Sequence, residues 1–253
     1  MAKLFNWLRG KPEPSPLPER LWQETLDRLP FLHRLSPNDR SRLKKLTEDF
    51  LADKEFTTAG ELELTDAMCV LIAVQGCLPI LNLGLVCYRD WVGIIVYPDE
   101  FVIPRSVEDE YGVMHEYVDI ASGEAWAGGP LLISWNDAQM AGDGYNVVIH
   151  EFAHKLDMLN GEADGIPPLP PGLPRKEWED TLLAAYENFC TQVDAAEEYG
   201  EATLIDPYAA ENPGEFFAVL SETFFESPAD LRQEYPALYA LFVRFYQQDP
   251  AGR

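Results

Sequence analysis

The apolar positions of this chain change period twice. The first stretch has helical spacing. Glu19 to Leu29 forms one amphipathic run. Ser36 is an N-cap, with Pro37 after it, for a helix reaching about Leu51. Thr65 caps a third helix, Asp66 to about Leu81, whose interior is almost wholly apolar and therefore central to the core. Pro79 marks a kink or an early stop in it. From Trp91 the pattern becomes β-branched and aromatic: WVGIIVY, ending at Tyr97, reads as a strand, and Phe101 to Pro104 continues it after a turn at Pro98-Asp99. Glu116 to Ile120 and Leu131 to Trp135 flank ASGEAWAGGP and read as a hairpin or as neighbouring strands. Helical spacing then returns. Asn136 or Asp137 caps a short helix, and Asn146 to Leu159 forms a longer one that stops at Asn160-Gly161. A Pro-rich loop, Ile166 to Pro174, leads to a helix from about Arg175 to Ala195, and Tyr199 to Asn212 reads as irregular. Asn212-Pro213-Gly214-Glu215 opens a helix to about Phe225, and Leu231 to Gln247 is helical with a break at Pro236. Helices, a few strands, then helices define an α+β fold.

Residues 1–18 read as a short N-terminal segment followed by the Pro-rich linker PEPSPLP, and 19–253 as a single domain. Within it, 19–90 is the helical part and 91–253 the catalytic part. Leu4, Phe5, Trp7 and Leu8 sit among Lys3, Arg9 and Lys11 in the start, too short and too polar a stretch for a secretory signal.

Charge narrows the partners. With 43 acidic against 19 basic residues, the formal net charge is −24. Such a field repels phosphate backbones and disfavours direct nucleic-acid binding. A peptide substrate or a protein partner suits it better. No run of about 20 apolar residues exists to span a membrane. The four Cys show no CxxC spacing. Together these features point to a reducing, cytoplasmic setting.

The chemistry lies in His150-Glu151-Phe152-Ala153-His154. This H-E-x-x-H pattern falls inside the apolar helix, and two of the chain's four His belong to it. Residues four apart share a helix face, so both imidazoles can reach one ion. The intervening Glu can reach a water on that ion, which is the zinc hydrolase arrangement. His33 and His115, the other two, read as solvated or structural.

A catalytic zinc takes three protein ligands and one open position. A metzincin would place a Gly three residues after the second His and a His or Asp six after it; Asp157 and Asn160 stand there and exclude that branch. The other solution is a Glu on a later helix. Glu215, in the first turn of the helix carrying Phe216 and Phe217, is one candidate. Asn212-x-x-Glu215 also fits a capping box, which would turn the carboxylate back onto its own helix. Glu222, seven residues on and on the same face, is the rival. Asp157 shares the face of His150 and His154 and is expected to accept a ring N–H, fixing the tautomer. For an extended substrate, Gly129 to Trp135 is the candidate edge strand, since it closely precedes the metal helix.

HEFAHKLDMLNG, followed by PYAAENPGEFFAVLSETFF, resembles the Mlc titration factor A family of zinc-dependent bacterial peptidases with a zincin-like fold. The likeness extends to AVQGCLPILNLGL and covers about residues 20–245. It implies His150, His154 and Glu215 as ligands of one Zn2+ per chain, and Glu151 as the catalytic carboxylate taking a proton from the zinc-bound water. It implies Tyr208 as an active-site phenol. The Tyr-to-Glu spacing is also similar to that of lethal-factor-like catalytic domains. The activity so implied is a zinc metallopeptidase of gluzincin type, aminopeptidase-like on short peptides. The alternative is a protein that sequesters a transcriptional regulator, its zinc site structural or vestigial.

Overall fold

A computed structural model describes residues 15–108, 114–142 and 144–252. Most of the segment and linker expected over residues 1–18 lies outside the described residues. Three helices come first: α1 (Glu19–Arg28), α2 (Pro37–Asp53) and α3 (Asp66–Cys77). Their starts follow the chain's own signals. Ser36 accepts from the Asp39 amide and Thr65 from the Met68 amide, each satisfying an otherwise orphaned N–H. Every α3 residue from Met68 to Cys77 is buried, and the helix stops at Cys77, two residues before Pro79.

Six strands follow or interleave: β1 (Glu55–Thr58), β2 (Gly93–Tyr97), β3 (Phe101–Glu108), β4 (Met114–Ala121), β5 (Gly123–Ala125) and β6 (Leu131–Ser134). They form a four-stranded sheet in the order β1-β2-β6-β5 and a separate ribbon of β3 and β4. β1, β2 and β6 run parallel, and β5 runs antiparallel to β6. Ile94 and Val96 of β2 face the main core, while Ile95 and Tyr97 point the other way, under Phe101, Ile103 and Leu132. That alternation is the period of two seen in the sequence.

The structure departs from the sequence pattern at three places. Glu116–Ile120 does not pair with Leu131–Trp135: β4 pairs with β3, Val102 opposite Ile120, and the three-residue β5 takes the place beside β6. Nor is Gly129–Trp135 an edge, because β6 is hydrogen-bonded on both sides. The edge nearest the metal helix is β5. The cap of the next short helix, α4 (Trp135–Ala138), is Ser134 rather than Asn136 or Asp137.

The remaining helices are α5 (Val147–Asp157), α6 (Arg175–Tyr199), α7 (Pro213–Glu226), α8 (Pro228–Glu234) and α9 (Pro236–Tyr246). All of α5 is buried. Its Phe152 ring lies 5.7, 5.2 and 5.8 Å from the rings of Phe50, Tyr88 and Trp91. Gly76 of α3 leaves the space that ring fills; a Cβ there would come within 2.3 Å of it. So one face of α5 is locked into the core, and the opposite face, with His150, Glu151 and His154, opens on a cleft. The chain is α+β, as its pattern implied.

Candidate metal centre

Asn146 starts α5, and its side chain accepts from the Ile149 amide at 2.9 Å. One helical turn sets His150 and His154 side by side, their Nε2 atoms 3.1 Å apart. Asn212 caps α7 by accepting from the Glu215 amide at 3.0 Å. The Glu215 carboxylate does not close back on its own helix. It crosses to α5, with Oε2 2.9 Å from His150 Nε2 and 3.2 Å from His154 Nε2. Close backbone packing places that turn. A Cβ on Gly214 would lie 2.5 Å from the Ala163 carbonyl oxygen, so the Asn-Pro-Gly-Glu start of α7 fits against the loop after α5 only with glycine there.

The rival Glu222 meets the same imidazole from behind. Its Oε1 is 2.8 Å from His150 Nδ1, and its Oε2 accepts from the Asn146 amide. Seven residues separate the two acids, two turns of one helix face, so both reach His150 on opposite ring nitrogens.

A carboxylate can only accept, so His150 Nδ1 donates to Glu222. The neutral ring then turns the Nε2 lone pair towards Glu215, itself electron-rich, at 2.9 Å. Either a cation lies among these atoms or the ring takes a second proton. Without an ion, burial opposes the second proton, but hydrogen bonds to Glu215 and Glu222 outweigh it and hold the His150 pKa well above its usual value. Burial likewise works to raise Glu215, and the two imidazoles overcome it and hold that carboxyl far below its usual range. A tetrahedral zinc with bonds of roughly 2.0–2.1 Å sets its ligand atoms about 3.3 Å apart. The three separations here, 2.9, 3.1 and 3.2 Å, fit that triangle, and His150, His154 and Glu215 can hold a metal ion.

Glu151 lies beside them, 5% exposed, and its Oε2 is buried without a hydrogen-bond partner. Burial pushes its carboxyl up to about 7, against the pull of His150 and His154. Tyr208, half-exposed, stands over the site with its ring centroid 6.0 Å from that of His150. Burial of its hydroxyl, with Glu215 next in effect, keeps the phenol protonated. Asp157 is fully buried. Its Oδ2 accepts from the Gly165 amide at 2.7 Å rather than from an imidazole, while its Oδ1 and His154 Nδ1 are both buried without a partner. Burial raises the Asp157 carboxyl to about 7.

Several residues of the site were not read from the sequence. Asn146 also donates to Gln75 Oε1 at 2.8 Å and to Glu226 Oε1 at 2.7 Å, tying the start of α5 to α3 and α7. The signal available was a polar residue opening an apolar helix. Gly123 lies against Glu151: a Cβ there would come within 2.4 Å of Oε1. The cleft, about 500 Å³, is walled by β5, Tyr145, Tyr208 and the acids Asp119, Glu124, Asp206 and Glu211.

This donor set, on this α+β frame, defines the molecule as metallopeptidase-like. The chain belongs to the glucose-regulated metallo-peptidase M90 family, whose model matches residues 4–247. It is similar to "Mlc titration factor A" of Serratia proteamaculans (strain 568), 39% identical over 252 residues, covering 98% of this chain and 94% of the relative. The protein of that name from Klebsiella pneumoniae (strain 342) is 38% identical over 99% of this chain and 94% of its own. That from Escherichia fergusonii is 38% identical over 92% of this chain and 87% of its own. The family resemblance carried by HEFAHKLDMLNG and the PYAAENPGEFF block therefore holds. Among the described residues, no helix is long and apolar enough to cross a membrane.

Proposed function

We propose that this chain is a zinc-dependent peptidase acting on short peptides from their amino end. The observation that carries the reading is Glu151: a buried carboxylate with an unpartnered oxygen, at the floor of a cleft, beside three converging ligand groups. Burying an unsatisfied acid is costly, and a structural metal site has no use for it.

His150, His154 and Glu215 would hold the ion. Bound there, zinc would supply Lewis acidity, polarising a carbonyl and lowering the pKa of water to about 7. Glu151 takes the proton of the attacking water and passes it to the leaving amine. Tyr208 keeps its proton and donates it as a hydrogen bond to the oxyanion. Glu222 holds the His150 ring by Nδ1. The free edge of β5 pairs with an extended substrate. Asp119, Glu124, Asp206 and Glu211 make the cleft electronegative, which favours the ammonium of a free N-terminus.

A second reading rests on the relatives' name. Those proteins are called titration factors of Mlc, so we propose an Mlc-type regulator as a protein partner, in the cytoplasm. Residues 19–253 would act as one domain in both roles.

The deciding experiment is metal analysis with peptide hydrolysis in wild type and Glu151→Gln. Wild type and variant should each hold about one zinc, and hydrolysis should fall about 10²–10⁴-fold in the variant. Undiminished hydrolysis refutes the role of Glu151. A zinc-loaded wild type that cleaves no peptide leaves the regulator-binding reading.

A further inference from the structure

The edge strand β5 is three residues long, yet it forms one wall of the cleft. So short a strand has little hold of its own, since its ladder with β6 covers three residue pairs, Gly123 to Ile133 through Ala125 to Leu131. Its position over α5 is set at both ends by residues the chemistry does not use. At the far end is Lys155, directly after His154 and 3% exposed. Its ammonium donates to the carbonyls of Trp126 at 2.7 Å, Gly129 at 2.8 Å and Pro130 at 3.3 Å, which are the turn joining β5 to β6. The same Nζ lies 4.8 Å from the centre of the Trp91 ring. A lysine is seldom buried this deeply, and its three donors are matched to three carbonyls of one turn. At the near end Gly123 touches Glu151, and no side chain fits between them.

We infer that Lys155 and Gly123 are positioning residues that clamp the edge strand to the metal helix. Lys155 fixes the strand's turn, and Gly123 sets its gap from the Glu151 carboxylate. On the peptidase reading, on which this rests, the clamp fixes where a paired peptide lies relative to the general base. An extended peptide, which uses the strand, depends on Lys155. A single aminoacyl anilide, which does not, is indifferent to it. Both depend on Gly123, through Glu151.

The test compares wild type with Lys155→Met and Gly123→Ala. It reads hydrogen exchange of the 123–130 amides, zinc content, and kinetics on an aminoacyl p-nitroanilide and on an extended peptide. In Lys155→Met, exchange at 123–130 should quicken at least about tenfold with zinc retained. KM for the extended peptide should rise about tenfold or more, while kcat/KM for the anilide changes less than about threefold. Gly123→Ala should instead lower kcat about thirtyfold or more on both substrates, zinc retained, because the methyl group displaces the Glu151 carboxylate. Unchanged exchange in Lys155→Met overturns the clamp. So do equal losses on both substrates with loss of zinc, which would make Lys155 a mere support of α5. Unchanged kcat in Gly123→Ala overturns its part. If Lys155→Met does not fold, Lys155→Gln, a shorter neutral donor, carries the same comparisons. If wild type cleaves neither substrate, the peptidase reading fails, while exchange still decides the clamp.

Discussion

Replacing Glu222 with Gln tests the assignment of the two rival acids at least steric cost. Glu222 is 3% exposed and uses both oxygens as acceptors, one for His150 Nδ1 at 2.8 Å and one for the Asn146 amide. Gln is isosteric but carries one acceptor and one NH₂ group. Whichever way it turns, a donor faces a donor, at the imidazole or at the Asn146 amide. A buried donor left unmatched costs about 1–3 kcal/mol. Part of that falls on the orientation and basicity of His150, so zinc affinity should weaken roughly 10–100-fold, the usual effect of losing an acceptor behind a ligand histidine. Glu215→Gln removes the carboxylate that meets both Nε2 atoms. A neutral amide is a poor zinc ligand, so that variant should lose more than about a thousandfold, beyond the effect expected of a group behind the ligand. The assay is competition against a chromogenic chelator, with zinc content by emission spectroscopy. If Glu222→Gln loses zinc and Glu215→Gln keeps it, the acids have exchanged roles. If both bind as wild type does, the site is not the one described.

Asn146→Ala removes a helix cap and its bonds to Gln75 and Glu226, and should destabilise the fold by about 3 kcal/mol in urea unfolding; a loss below about 1 kcal/mol would show that α5 does not need it. In metal-free protein, burial holds Asp157 near 7, above the unfolded value of roughly 3.9. The proton is then bound more tightly in the folded state. The contribution of Asp157 to stability is full below about pH 4 and falls away as pH rises to 7. Unfolding of Asp157→Asn across that range should lack this component, so wild type should lose ground to the variant with rising pH; a constant difference would refute it. Chelation should lower Tm reversibly, and zinc at about 100 times Kd should restore roughly 2.7 kcal/mol; a Tm indifferent to both would leave the ligand triangle without an ion.

How much of this was legible depended on sequence distance. His150 and His154 are four residues apart in one helix, so their common face follows from helix geometry alone. Asn212 and Pro213 announce the start of α7, and the caps at Ser36 and Thr65 were readable in the same way. Strand pairing is nonlocal and does not follow from the local pattern. Glu55–Thr58 is too short and too polar to show a period, and Gly123–Ala125 has three residues inside a loop-like GEA. The turn residues between Glu116–Ile120 and Leu131–Trp135 suit a hairpin or neighbouring strands, yet β4 pairs with β3 and β6 with β5. Gly123 and Lys155 carried no local signal, since what matters at each is a backbone carbonyl or a carboxylate brought from another element.

The two acids on α7 show why spacing stopped one step short of the site. Helix periodicity says that Glu215 and Glu222 share a face, and both do turn to α5. It says nothing about which ring nitrogen each meets, because that depends on the axial offset between two helices distant in sequence. The offset is fixed by packing at α7's start, where Gly214 lies against Ala163, and by the Asn146 amide, which takes the second oxygen of Glu222. With that amide engaged, Glu222 faces Nδ1 and Glu215 is left to face the two Nε2 atoms. What looked like a choice between two ligands is a division of one imidazole between two carboxylates, and the residue that makes the division is the cap at the head of the metal helix.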